Sequence, residues 1–206
     1  MKERIQTKAQ ELFRRYGVKS VTMDEIASQL GVSKKTIYQF FSDKDELVLA
    51  VANNLISFAE NSCSDHMSSA EDAIQEIFRA MDFGQKILEE INPAMLYDLE
   101  KYHPEAFRNF LKYKNSFMKK TLENNLRIGI QEELFREDIN IEILTRYRLE
   151  TMFMVLNQDV FPSNRFKFDE VHRALMEHFL YGIASLKGMK LINKYKERYK
   201  KTVNEK

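Results

Sequence analysis

The chain has 206 residues, 44% of them hydrophobic and 31% charged, with only 6 Gly and 3 Pro, a composition that argues for a helical globular protein. The net charge of +1 conceals a split of +2 over residues 1–50, −7 over 51–186 and +6 over 187–206, so the sum does not exclude nucleic acid as a partner. The single cysteine, Cys63, excludes an internal disulfide and fits a reducing, cytoplasmic setting.

The opening MKERIQTKAQELF is interrupted by charge and is not expected to be a signal peptide. Ile5, Ala9, Leu12 and Tyr16, with Phe13 beside them, form one helical stripe that stops at Gly17. A second helix opens at the capping box Thr22-Met23-Asp24-Glu25, turns Ile26, Ala27 and Leu30 inward and ends at Gly31. Ser33 caps a third helix expected to reach Phe41. Ser42 with Asp45 caps a fourth through Leu47, Val48, Val51, Leu55 and Phe58. Its apolar run, Leu47 to Ala59, holds two Asn and is too short to span a bilayer, so no membrane role is expected.

The polar stretch NSCSDHMSS (61–69) reads as a connection. Helical segments follow near 70–90, 93–102, 104–133, 141–158 and 167–195, punctuated by Asn92-Pro93, His103-Pro104, 138–140 and 161–163. The expected architecture is all-α, with about nine helices and no strand-like alternation. The basic run from Lys187 to Lys206 reads as a solvated helix end.

At 100° per residue, Ile37, Phe40 and Phe41 share the inner side of the third helix. Lys35 and Gln39 point away from them, Thr36 and Tyr38 flank that outer face, and Lys34 lies near the boundary. Two short helices joined by Gly31-Val32-Ser33 have the spacing of a helix-turn-helix, whose second helix enters the major groove. Lysines and a phenol suit phosphates, and Gln39 suits an adenine edge. A plain antiparallel helix pair in another all-α core has the same spacing.

The run TKAQELFRRYGVKSVTMDEIASQLGVSKKTIYQFFSDKDEL resembles the N-terminal DNA-binding domain of the TetR family of transcriptional regulators. The likeness covers about residues 5 to 48, with Ala9, Leu12-Phe13, Gly17, Thr22, Ile26-Ala27, Gly31-Val32-Ser33, Ile37-Tyr38, Phe41, Lys44 and Leu47 at the family's spacing. It implies a DNA-binding domain over 1–48, its linking fourth helix running on to about 60, and a helical effector-binding and dimerisation domain over 61–206. It implies DNA contacts from Thr22, Ser33, Lys34, Lys35, Thr36, Tyr38, Gln39 and Lys44, with Thr22, Tyr38 and Lys44 on the backbone. Lys35 and Phe40 depart from the residues most members carry there, so no operator sequence follows.

The resemblance further implies a homodimer on a palindromic operator, with half-sites about 10–10.5 bp apart. Effector binding would move the fourth helix and release the DNA. Tyr147, Thr151, Met154, Val171, Leu175, Gly182, Ser185 and Met189 are the candidate dimer residues, Gly182 and Ser185 allowing close helix approach. For an apolar, aromatic or lipid-like effector the candidates are Met81, Met95, Tyr97, Asp98, Tyr102, His103, Phe107, Phe110, Phe117, Met118 and Phe153, although aromatics at such spacing also build ordinary cores.

Catalysis is not expected. His66, His103, His172 and His178 stand in no metal-ligand spacing, no phosphate loop or nucleophile motif occurs, and no cofactor or metal is implied. The other alternative is a helical module that binds a protein partner, which would have no reason to keep Lys34, Lys35, Tyr38 and Lys44 on one cationic face.

Overall fold

The computed structural model describes residues 1–67, 69–89 and 91–204, without the side chains of 64–67, 89 and 198–204. Ser68, the side chain of His66 and the end of the basic run lie outside the described residues. The chain is all-α: α1 (Lys2–Tyr16), α2 (Met23–Leu30), α3 (Lys34–Tyr38), α4 (Lys44–Met67), α5 (Ala73–Glu89), α6 (Met95–Tyr102), α7 (Pro104–Tyr113), a π-helical turn (Lys114–Met118), α8 (Lys119–Gln131), α9 (Ile141–Met154), α10 (Phe168–Ile183) and α11 (Leu186–Asn204). Two expected segments are divided, 104–133 by the π turn and 167–195 by a break at Ala184-Ser185.

Two compact units form, and they are not separated by one cut after residue 60. One comprises Met1–Asn61 with Ile87–Lys114, the other Ser62–Lys86 with Asn115–Lys206. In the first, Ile5, Ala9, Leu12 and Phe13 of α1 meet Ile26 and Ala27 of α2, Ile37 of α3, Phe41, and Leu47, Val48 and Val51 of α4. Met95, Leu99 and Ala106 of α6 and α7 complete this core. Each of the larger of these buried side chains contributes about 1.5–3 kcal/mol by leaving water. Two expected inner residues lie outside it: Tyr16 is exposed, with Arg15 over its ring, and Phe58 is 57% exposed.

Helix α4 differs from expectation at both ends. It continues through 61–67, because Asn, Ser and Cys lower helix propensity without breaking the ladder as Gly or Pro would. At its start the capping oxygen belongs to Asp43, not Ser42. Asp43 Oδ1 accepts from Glu46 N at 2.8 Å, and Glu46 Oε2 reaches back to accept from Ser42 N at 2.6 Å. The Asp-x-x-Glu spacing is itself a capping signal.

In the second unit, Ile74, Ile77 and Phe78 of α5 pack with Leu126 of α8, Met176, Phe179, Leu180 and Ile183 of α10, and Ile192 and Tyr195 of α11. Leu134 and Phe135, on the loop after α8, enter the same core. That loop explains the break between α10 and α11. Arg136 N donates to Ile183 O, Ser185 N donates to Leu134 O, and Ser185 Oγ donates to Glu133 O at 2.6 Å. Ala184 is extended and forms an isolated antiparallel bridge with Phe135, while Ser185 Oγ accepts from Gly188 N and caps α11. Ile183 O, Gly182 O and Ser185 N, released by the break, thus bond to residues of the 134–136 loop instead.

Within this chain Ser185 is therefore a cap and a loop anchor. Close approach occurs at Gly188, where an added Cβ would meet Leu134 O at 2.0 Å, and at Gly129, where it would meet Phe135 Cδ2 at 2.0 Å. At Gly182 it would meet nothing within 4 Å of this chain. Val171 and Thr151 are buried within the unit, Thr151 Oγ1 donating to Arg148 O. Met154, Leu175 and Met189 are half-buried, and Tyr147 is exposed.

Candidate nucleic-acid interface

The geometry of α2 and α3 follows from their caps. Thr22 is extended, and its side chain accepts from Glu25 N at 3.1 Å to open α2. Gly31 closes α2 with φ 66° and ψ 32°, a left-handed conformation that glycine adopts without a Cβ clash. Two residues later Ser33 Oγ accepts from Thr36 N at 3.1 Å and lies 2.8 Å from Thr36 Oγ1. The α-helix that follows is shorter than expected, ending at Tyr38. Phe40 N and Phe41 N both donate to Ile37 O, a tightened final turn that carries Phe41 into the core and leaves Phe40 half-buried. Ile37 and Phe41 are fully buried, and Lys2 lies over the Phe41 ring with Nζ 5.3 Å from its centroid.

On the opposite side of α3, Lys35, Tyr38 and Gln39 are exposed and Thr36 is half-buried. This is the division expected from the helical wheel, a polar face fixed by aliphatic and aromatic anchors beneath it. Lys34 Nζ donates to Asp24 Oδ2 at 2.5 Å, a bond that raises the lysine pKa and ties α3 to the first turn of α2. A surface ion pair of this kind is weak, so a phosphate can displace Asp24 readily. Nothing local in the sequence signals the pair, since its partners are ten residues apart in different helices.

Lys44 is placed differently from the free backbone contact implied by the resemblance. Its Nζ donates to Val18 O at 2.6 Å and to Lys19 O at 3.3 Å, and burial lowers its pKa. The ammonium thus holds the turn between α1 and α2 against the start of α4. From the other side Asp98 Oδ2 accepts from Lys19 N at 2.8 Å. Asn92 N donates to Arg14 O at 2.9 Å, and Lys19 Nζ sits 5.1 Å from the Tyr102 ring centroid. His103 Nδ1 donates to Asp45 Oδ1 at 2.6 Å, joining the α6–α7 corner to the first turn of α4.

These contacts change the standing of two residues expected in an effector pocket. Asp98 and His103, both buried, are committed to hydrogen bonds that hold α6 and α7 on the helix-turn-helix unit. Met95 is buried in the core of the same unit, Phe107 is half-buried against that core, and Tyr102 and Phe110 are half-buried. Tyr97 is exposed and accepts from Lys101 Nζ. Met81, Phe117, Met118 and Phe153 belong to the other unit and are half-buried there. The eleven expected pocket residues thus divide between the two units. Removing the Asp98 carboxylate as Asp98→Ala orphans a backbone donor. It is expected to cost about 1–3 kcal/mol in a denaturation experiment and to weaken DNA binding, while Asp98→Asn, which keeps an acceptor oxygen, costs less.

The description "Bacterial regulatory proteins, tetR family" matches residues 5–51, the segment from α1 into α4. An uncharacterised helix-turn-helix regulator of Bacillus subtilis, YvaF, is 30% identical over 108 residues, covering 52% of this chain and 56% of its own length. The transcriptional repressor KstR2 of Mycolicibacterium smegmatis is 19% identical over 191 residues, covering 88% and 90%. Among solved structures, the regulator FadR of Bacillus subtilis in complex with stearoyl-CoA superposes with a TM-score of 0.70 at 16% identity, covering 89% of this chain and all of that one. Capped short helices across a left-handed glycine, a rigid polar α3 face and the match over 5–51 agree: residues 5–51 form a helix-turn-helix domain of the kind that opens bacterial regulatory proteins of the tetR family.

Proposed function

We propose that the protein is a homodimeric repressor that reads a palindromic operator with α3 and releases it when a small effector binds the second unit. The observation that carries this reading is the face of Lys35, Tyr38 and Gln39 exposed above fully buried Ile37 and Phe41. In that reading Lys35 and Gln39 address base edges, and Tyr38, Lys34 and Thr22 hold phosphates. Lys44 acts chiefly by fixing the turn that presents them. The protein works in the cytoplasm and carries out no catalysis. Among the described residues no helix is long and apolar enough to cross a membrane. The named repressor relative supports release from an operator, and the acyl-CoA complex of a structural neighbour supports an effector with a large apolar portion.

The test is fluorescence anisotropy on DNA flanking the protein's own gene, over a salt series, with wild type and a Lys35→Ala/Gln39→Ala variant. Each base contact is worth about 1–3 kcal/mol, so the double variant is expected to bind roughly 30-fold to 10⁴-fold more weakly at the operator. If Lys35 also neutralises a phosphate, the variant's salt slope falls by about 1. Weak, steeply salt-dependent binding that ignores the variant would mean phosphate contact alone and would remove the operator-reading interpretation at that DNA.

A further inference from the structure

Among its described residues the second unit holds a buried positive charge without an opposite one. Arg148 of α9 is 3% exposed, and among the described residues its guanidinium makes neither an ion pair nor a hydrogen bond. Its neighbour is the face of Phe179 on α10, whose ring centroid lies 5.7 Å from the guanidinium carbon. A cation over a ring recovers only part of the desolvation cost of burying a charge. Burial lowers the pKa of Arg148 to about 10, which leaves it charged at neutral pH.

Two further polar groups nearby are unsatisfied. Thr145 stands one turn before Arg148 on the same face of α9, is fully buried, and its Oγ1 has no hydrogen-bond partner among the described residues. His172 of α10 is 4% exposed, its ring is stacked on Phe168, and its Nδ1 has no hydrogen-bond partner among the described residues. Burial, and then the charge of Arg148, lower the histidine pKa to about 4, so at neutral pH it is a neutral imidazole able to donate one N–H. Buried polar groups in folded proteins are nearly always bonded, and three together without hydrogen-bond partners among the described residues mark a place where a bonding group belongs.

The donors share one chemistry. A guanidinium presents a planar fork of N–H groups, a threonine an O–H and an imidazole an N–H, while Phe168 and Phe179 supply apolar surface. We propose that Arg148, Thr145 and His172 form a binding site for the carboxylate of an organic acid whose apolar body lies against these aromatic rings. The proposal rests on reading the second unit as effector-binding and narrows the effector from any apolar molecule to an anionic one. A guanidinium pairs with a carboxylate through two parallel hydrogen bonds, and the buried setting strengthens them.

Thermal unfolding of the full-length protein tests this with two matched pairs of additives, octanoate against octanol and phenylacetate against phenylethanol, on wild type and Arg148→Met. At least one acid is expected to raise the wild-type melting temperature beyond its neutral counterpart. Arg148→Met is expected to weaken that acid's binding about 10- to 100-fold, the scale of charge-assisted hydrogen bonds. Without additive the variant is expected to melt no lower than wild type, since it removes an unpaired buried charge and keeps the volume. Stabilisation by neither acid, or equal stabilisation of wild type and variant, would overturn the assignment. A variant that melts lower without additive and loses its dimer would overturn it too, by showing that a carboxylate of a second copy pairs with Arg148. Operator binding of both proteins without acid is measured alongside. Acid binding without any operator binding would sink the regulator reading and leave the anion site standing.

Discussion

Gly188→Ala is expected to be the most damaging single-methyl change in the second unit. Its new Cβ would lie 2.0 Å from the carbonyl oxygen of Leu134, a backbone atom with no side-chain freedom to yield. Leu134 cannot withdraw cheaply. Its carbonyl accepts from Ser185 N, its neighbour Phe135 is fully buried, and Glu133 already holds a left-handed φ of 61°. Overpacking against fixed backbone is expected to cost about 3 kcal/mol or more, a fall in melting temperature of roughly 6–12 °C for a chain of this size. Gly182→Ala is the control, since its Cβ meets nothing among the described residues and the change removes a flexible residue from the last turn of α10. It is expected to stabilise by about 0.5–1 kcal/mol. A loss at Gly182 instead would report that a second chain packs there, as the sequence reading of a dimer face anticipates. Equal small effects at both glycines would show that the loop over Gly188 gives way.

Phe41→Ala is expected to abolish operator binding without altering any residue of the exposed α3 face. Phe41 is 1% exposed, and Phe-to-Ala truncation in a core costs about 3–5 kcal/mol. The loss falls on a small core in which α1, α2, α3 and α4 all meet, so it is comparable with the whole stability of such a unit. Circular dichroism is expected to show partial loss of helix, with the second unit melting in a separate transition. Phe41→Leu, which retains most of the volume, is expected to keep DNA binding within about tenfold. A Phe41→Ala protein that still binds the operator normally would mean that α3 is held by its caps and the Lys34–Asp24 pair rather than by the ring beneath it.

Much of the DNA-binding unit was legible because its determinants are local. Thr22 and Ser33 lie three residues from the amides they cap, Gly31 supplies a backbone conformation that other residues resist, and the spacing of Ile37 and Phe41 sets which side of α3 is polar. Periodicity likewise placed the stripe of Ile5, Ala9, Leu12 and Phe13. It failed at Tyr16 and Phe58, because a stripe can outrun the surface that covers it. The break at Ala184-Ser185 was invisible for a different reason. Neither residue stops a helix on its own, and the hydrogen bonds that compensate the break come from residues 133–136.

By itself the sequence determined the helical architecture, the helix-turn-helix and the chemistry of its outer face, since caps, turns and periodicity act over a few residues. Only the tertiary structure decided that 87–114 joins the N-terminal core and commits Asp98 and His103 to it. It alone showed that Lys44 braces a turn, that a Cβ has no room at Gly129 or Gly188, and that Arg148 is buried without a counter-charge among the described residues. Each of these depends on which distant segment comes within a few ångströms, and pairwise contact over long separations leaves no period in the chain.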